Sequence, residues 1–104
     1  MNPAELMRDA TPVAAVREGY ELHYGAPEVV RTDDPDLALL AGDRLFALGL
    51  EKLAATGDLE AIGVLCETIA VCARSHAENA PEQAQQAWHD AGVRLARRPQ
   101  VSER

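Results

Sequence analysis

Aromatic residues are scarce in this sequence, with one Trp, one Phe and two Tyr, or 4% of 104 residues. Proteins that bind single-stranded nucleic acid stack bases on aromatic side chains, so this scarcity argues against such a surface. Positive charge is scarce too, because 10 Lys and Arg stand against 17 Asp and Glu, a formal net charge of −7. An acidic chain repels a phosphate backbone. The composition therefore predicts an acidic protein with no nucleic-acid partner.

Long hydrophobic runs are missing as well. No apolar stretch is longer than the one from Leu37 to Gly42, where Asp43 ends it. A helix that spans a membrane needs about 20 apolar residues. The first residues also lack the basic and apolar regions of a secretory signal. We therefore expect no membrane span and a cytoplasmic location.

Cysteine occurs only at Cys66 and Cys72, which are predicted to lie on one helix. Six helical residues rise about 9 Å, which exceeds the roughly 7 Å that a disulfide allows between Cα atoms. The two thiols cannot bridge each other within that helix. Reduced cysteines agree with the expected cytoplasmic compartment.

Pairs of a capping residue and a proline mark where helices begin. Thr11-Pro12 and Asp34-Pro35 each combine an N-cap side chain with the proline that suits the first helical position. Gly57 ends one of these helices, and Asp58 caps the next. Four main helices are predicted, at about residues 12–24, 35–56, 58–78 and 81–98, with a short N-terminal turn over 1–11 and a frayed tail over 99–104.

The fold class follows from the periodicity of these segments. No stretch alternates polar and apolar residues with the period of a strand, whereas apolar residues recur at helical spacing throughout. We expect an all-α helical bundle that forms a single domain over residues 1–104. Its centre is predicted to be an antiparallel pair of residues 35–56 and 58–78.

The predicted helix over 35–56 has an unusually wide apolar arc, typical of a helix packed on more than one side. Phe46 and Leu50 are predicted to lie on its inner stripe, and Arg44 on its narrow polar sector. Gly42 and Gly49 lower the helix propensity by up to about 1 kcal/mol each. Since they lie seven residues apart on nearly one line, they indicate the close approach of another helix.

The first main helix and the connector after it give two smaller expectations. Its apolar face repeats at helical spacing, and Arg17, Glu18 and Glu21 are predicted to lie around the rest of its surface. The connector over 25–33 has no periodicity, and Val29-Val30 is predicted to pack it onto the bundle.

Two valines interrupt the polar face of the predicted helix over 58–78. Val64 and Val71 lie one heptad apart, with Thr68 beside them. Apolar residues in register on a polar face are typical of contact with a partner helix. Val64, Thr68 and Val71 are therefore predicted to form a partner interface, with a second copy of the chain or with a larger protein.

The residues that could carry chemistry have simpler explanations. Cys72 and His76 are one turn apart, but a zinc site needs about four ligands, and no second pair is spaced to complete it. The acidic run Asp33-Asp34-Pro35-Asp36 lacks the glycine turn of a calcium loop and suits a helix N-terminus. No phosphate-binding glycine loop is present. The sequence therefore predicts no catalytic residue, no cofactor and no metal site.

One segment resembles a known family. Residues 39–50, Leu-Leu-Ala-Gly-Asp-Arg-Leu-Phe-Ala-Leu-Gly-Leu, are similar to the helix of trans-prenyl diphosphate synthases that carries Leu-Ala-Gly-Asp followed by Leu-Leu or Leu-Phe. Tyr24-Gly25-Ala26-Pro27 resembles the Gly-x-Pro connector that precedes that helix. Leu53-Ala54 and Gly57-Asp58-Leu59-Glu60 resemble the turn into the next one. The resemblance covers about residues 23–75.

The departures from the family concern its catalytic machinery. The family condenses allylic diphosphates with isopentenyl diphosphate, using two Asp-rich motifs that bind magnesium and the diphosphate. Here the acidic run over 33–36 comes directly before the helix and lacks the family's aspartate spacing. The second motif would fall beyond residue 104, and full enzymes of the family are more than twice as long. No catalytic residue is therefore carried over.

The resemblance thus implies a scaffold helix pair without the chemistry. We expect a non-catalytic helical interaction module that self-associates as a homodimer or acts as a small accessory subunit of a larger assembly. One alternative is a small helical bundle that binds an apolar small molecule between helices. Another is a metalloprotein that uses Cys72 and His76.

Overall fold

A computed structural model describes residues 2–25 and 27–98 of the chain. It contains five helices: α1 (Pro3–Leu6), α2 (Pro12–Tyr24), α3 (Pro35–Ala55), α4 (Leu59–Ala77) and α5 (Pro81–Arg97). The described residues form no strand, so the prediction of an all-α protein is confirmed. No helix within them combines the length and the apolar character that a bilayer crossing requires. The predicted frayed tail over 99–104 lies outside the described residues, as does Ala26.

Three of the helices begin where side-chain caps were predicted, at Thr11, Asp34 and Asp58. The Thr11 hydroxyl oxygen accepts a hydrogen bond from the amide of Ala14 at 3.1 Å. One carboxylate oxygen of Asp34 accepts from the amides of Asp36 and Leu37 at the start of α3. These bonds satisfy amide groups that have no partner inside the helix. Equivalent caps stand at Asn2 and Asp58.

Two helices end on residues with a left-handed backbone. Gly57, with φ of 73°, follows α3, and Asn79, with φ of 59°, follows α4. In each case the next amide donates back to a carbonyl five residues earlier, from Asp58 to Leu53 at 3.0 Å and from Ala80 to Ser75 at 2.7 Å. This closure satisfies carbonyl groups that the last helical turn leaves open.

Packing in the first part of the chain depends on two glycines. A methyl group at Gly49 would lie 2.6 Å from the carbonyl oxygen of Pro12, and one at Gly42 would lie 2.9 Å from that of Gly19. The predicted close approach at Gly42 and Gly49 is confirmed, and the helix that approaches is α2. Because the later glycine of α3 meets the start of α2, the two helices run antiparallel.

A small core forms around this helix pair. Its buried members are Met7, Leu22, Val30 and Leu45, with Ala10, Ala38, Ala41 and Leu48 packed against them. Leu45 is fully buried, whereas Phe46 and Leu50, predicted for the inner stripe, are only half-buried. The face of α3 that α2 covers includes the two glycines, and the Phe46 ring lies against Gly19 of α2, with its centroid 5.1 Å from that of His23.

The chain divides into two compact units, one ending at Ile62 and the other beginning at Gly63. In the second unit the Cys72 thiol donates to the carbonyl oxygen of Ala84 at 3.8 Å, and Arg94 donates to Glu67 at 2.9 Å. These contacts show that α5 runs antiparallel to α4. A single domain over residues 1–104, and the pairing of residues 35–56 with 58–78, stay predictions.

Candidate interaction surface

The predicted interface on α4 is not an exposed stripe. Val64 is 3% exposed, Thr68 is 4% exposed and Val71 is half-buried. Thr68 and Val71 line a groove with Ala87 and Ala91, so they face α5. The Thr68 hydroxyl donates to the carbonyl oxygen of Val64 at 2.8 Å and needs no outside partner. Exposure of Val64 and Thr68 is therefore ruled out, because both are buried, and Thr68 faces another helix of the same chain. A partner contact through Val64, Thr68 and Val71 stays a prediction.

Exposed leucines occur instead at the start of α3. Leu37 is 53% exposed and Leu40 is 64% exposed, and Leu39 is exposed beside them. The side-chain cap of Asp34 and the proline at the first helical position stabilise the start of α3. The leucines therefore lie on a regular helical turn and not on a frayed end. Single exposed apolar residues are common on protein surfaces, but clustered ones mark interaction sites.

Leu37 and Leu40 border a groove of about 410 Å³. From α3 the groove takes Leu37, Leu40, Ala41 and Arg44; from α1 and the connector after α2 it takes Pro3, Val30, Arg31 and Thr32. Val30 is buried and joins the groove to the core beneath it. We call Val30, Leu37, Leu40 and Ala41 the leucine surface.

The connector wall of the groove is held by Glu18. This side chain is 5% exposed, and its two oxygens accept hydrogen bonds from three successive amides: Glu28 at 3.0 Å, Val29 at 2.7 Å and Val30 at 2.9 Å. A carboxylate that accepts several amides makes strong, charge-assisted bonds. Packing of the connector is confirmed for Val30, while Val29 is exposed.

The burial of Glu18 corrects the expectation that it lies on the polar side of α2. It shares its side of the helix with Ala15 and Leu22, three residues before and four after, and both are buried. That spacing is a signal the sequence contains. The three amides that make burial favourable lie ten or more residues downstream, so the helical pattern alone does not reveal them.

Two arginines lie on the rim of the groove. Arg31 and Arg44 line it, and neither takes part in an ion pair among the described residues. Asp43 is turned toward α2, where its carboxylate lies 3.2 Å from His23. The groove therefore combines an apolar floor with two cations at its rim that make no ion pair within the described residues.

The other candidate residues have structural surroundings. Cys72 is buried, and its thiol points to the Ala84 carbonyl, while His76 is half-buried. In the described ranges no three His, Cys, Asp or Glu side chains come together as a metal-binding group. Asp34 of the acidic run is the N-cap of α3, as the sequence indicated.

Known proteins give no further guide to this surface. No family model, curated protein or solved structure matches the chain. The likeness of residues 39–50 to a helix of trans-prenyl diphosphate synthases stays a resemblance.

Proposed function

We propose that this chain is a non-catalytic helical interaction module that associates through the leucine surface of α3. The association is with itself, or with a larger protein to which the chain is an accessory subunit. The observation that carries the proposal is that Leu37 and Leu40 are both more than half exposed on a well-capped helix. Removing a leucine side chain from water gains roughly 1.5–3 kcal/mol when burial is complete.

The surroundings of the leucines support this function. The groove has a stable apolar floor, because Val30 is held in the core and its amide is fixed by Glu18. Interfaces combine an apolar centre with a polar rim, which here is supplied by Arg31, Thr32 and Arg44. A rigid surface of this kind loses little conformational entropy when a partner binds.

The non-catalytic part of the proposal rests on the acidic residues. Prenyl transfer needs two carboxylate clusters that hold magnesium across a cavity and stabilise the departing diphosphate. Asp33, Asp34 and Asp36 form one acidic cluster, and Asp34 is engaged as a helix cap. The remaining acids are dispersed along the sequence.

Sedimentation equilibrium over a range of concentrations tests the self-associating form. We expect the apparent mass to rise above the monomer mass of 11.2 kDa, and the double variant Leu37→Lys/Leu40→Lys to stay monomeric with unchanged helical circular dichroism. Leu59→Lys is the matched control, because Leu59 is exposed on α4 and lies outside the leucine surface. Self-association through this surface would be refuted if Leu59→Lys lowered the apparent mass as much as the double variant does. It would also be refuted if the wild-type chain were monomeric at millimolar concentration.

A second candidate function is favoured by the volume of the groove. Pockets for small molecules measure roughly 300–1,000 Å³, and the groove of about 410 Å³ lies in that range. An apolar molecule with a carboxylate would contact Leu40 and pair with Arg31 or Arg44. Calorimetric titration with dodecanoate tests this: binding that Leu40→Lys and Arg44→Gln each weaken would favour it, and absence of binding would exclude that ligand class.

A further inference from the structure

Three exposed residues of α3 lie on one line along the helix. Asp36, Leu40 and Arg44 are spaced four apart and are all exposed. Residues at this spacing form a continuous ridge, inclined to the helix axis. The ridge begins with a negative charge, has a leucine in the middle and ends with a positive charge.

Within the described part of the chain, no oppositely charged side chain lies within ion-pair distance of either end of this ridge. Neither Asp36 nor Arg44 takes part in an ion pair there. On one side of the ridge lies the row with Leu37 and Ala41, which belongs to the leucine surface. The ridge thus presents both charges and an apolar groove to whatever covers it.

We propose that the partner of the leucine surface is a second copy of this chain, with the two α3 helices crossing antiparallel about a two-fold axis at Leu40. This inference rests on the proposed function and specifies its self-associating form. Two helices that pack along rows of this spacing cross at about −50°, the commonest packing class. An isologous interface uses the same patch of both copies. The two-fold axis therefore places the two identical ridges side by side, running in opposite directions.

The charges make the ridge complementary to itself in that arrangement. Asp36 lies beside the partner's Arg44, Arg44 lies beside the partner's Asp36, and the two Leu40 side chains meet between the ion pairs. A parallel arrangement in register would bring like charges together, which is unfavourable at an interface. Arg31, on the wall of the same groove, adds a cation near the partner's acidic helix start.

The size of the contact sets the strength of the association. A crossing of this kind buries only a few turns of α3, which is below the roughly 1,200 Å² of a standard stable interface. The dimer is therefore weak and exchanges with monomer, and it weakens further at high salt because its ion pairs lie at the rim. Measurements need to extend to high protein concentration and low ionic strength.

Reversal of the two charges tests the geometry. Asp36→Arg brings four cations together across the two-fold axis, and Arg44→Asp brings four acids together. We expect each variant alone to self-associate about tenfold more weakly or worse, because like charges then face each other. A one-to-one mixture of the two variants restores opposite pairs, so we expect it to form the mixed dimer in native mass spectrometry. The double variant Asp36→Arg/Arg44→Asp is expected to recover self-association as well.

The controls separate this geometry from effects on folding. Glu51→Arg makes the same change of charge on an exposed residue of α3, roughly 16 Å along the axis from Leu40, and is expected to self-associate like wild type. Asp36→Arg removes an acid from the first turn of α3, so thermal unfolding of every variant is measured alongside. The double variant Asp36→Arg/Arg44→Asp also lacks the acid in the first turn. If it self-associates again, the effect of the single variant came from the ion pairs and not from the lost acid.

The outcomes distinguish this inference from the function it rests on. Single variants that associate like wild type, or a mixture that stays monomeric, overturn the two-fold pairing. If Leu40→Lys then still abolishes association, the proposed function stands and only the geometry is wrong. A wild-type chain that is monomeric throughout overturns both the pairing and the self-associating form of the function.

Discussion

Glu18 is the residue on which the connector between α2 and α3 depends. Its carboxylate satisfies three successive amides that would otherwise be held near the core without partners. Buried polar groups without hydrogen bonds are costly, so the acid and the connector stabilise each other. Through Val30 the same bonds fix the floor of the groove.

Replacement of Glu18 by Gln is expected to destabilise the protein. The amide group of Gln keeps one acceptor oxygen and presents N–H donors where a second acceptor is needed. Hydrogen bonds to charged groups contribute about 1.5–3 kcal/mol, and we expect a loss of stability of that order. Urea unfolding followed by circular dichroism measures it.

Glu51→Gln is the matched control for this change. Glu51 is exposed on α3, so its replacement is expected to alter stability by less than about 0.5 kcal/mol. Equal stability of the Glu18 and Glu51 variants would show that the three amide bonds contribute little.

At the scale of helices, the glycines of α3 determine how closely α2 approaches. The neighbours of Gly49 include the backbone carbonyl of Pro12, which cannot rotate away as a side chain can. Gly92, in the interior of α5, has open space where a side chain would begin. We therefore expect replacement by alanine to change the stability of the protein in opposite directions at Gly49 and Gly92.

Gly49→Ala is expected to destabilise the protein and Gly92→Ala to stabilise it. Overpacking against a fixed neighbour costs about 1–3 kcal/mol, which exceeds the gain in helix propensity. At Gly92 only the propensity gain remains, up to about 1 kcal/mol. Thermal unfolding of both variants and of the wild type measures which change lowers stability and which raises it. A stabilising Gly49→Ala would contradict the close packing of α2 on α3.

At the scale of the whole molecule, the chain is acidic. The chain has a net charge of −7, yet Arg31 and Arg44 border its groove. Net negative charge makes copies of the chain repel each other on average, so the proposed dimer depends on the pairing of Asp36 with Arg44 across its two-fold axis.

The purified chain is expected to have no prenyl transferase activity. Ionisation of an allylic diphosphate needs magnesium held by spaced carboxylates, and the acidic residues at 33, 34 and 36 offer only one cluster. Incubation with allylic and homoallylic diphosphates and magnesium should give no elongated product by chromatography.

Turnover that disappears in Asp34→Ala/Asp36→Ala would overturn that expectation. Activity that arises only when a second protein is added would favour the accessory-subunit form of the proposed function over the self-associating one.

The sequence by itself determined where helices begin and end and where two of them approach closely. Caps such as Thr11 and Asp34 bind amides within three residues, so a local pattern contains the whole interaction. Gly42 and Gly49 indicated close packing because their helical spacing is also local, although the helix that packs there proved to be α2.

Only the tertiary structure decided which faces are covered. Val64 and Thr68 belong to the face of α4 that the sequence predicted to be polar, yet both are buried, whereas Leu37 belongs to the apolar arc predicted for α3 and is exposed. Glu18 is buried because amides ten to twelve residues later donate to it. Burial depends on which distant segments arrive at a face, and the periodicity of one helix does not contain that information.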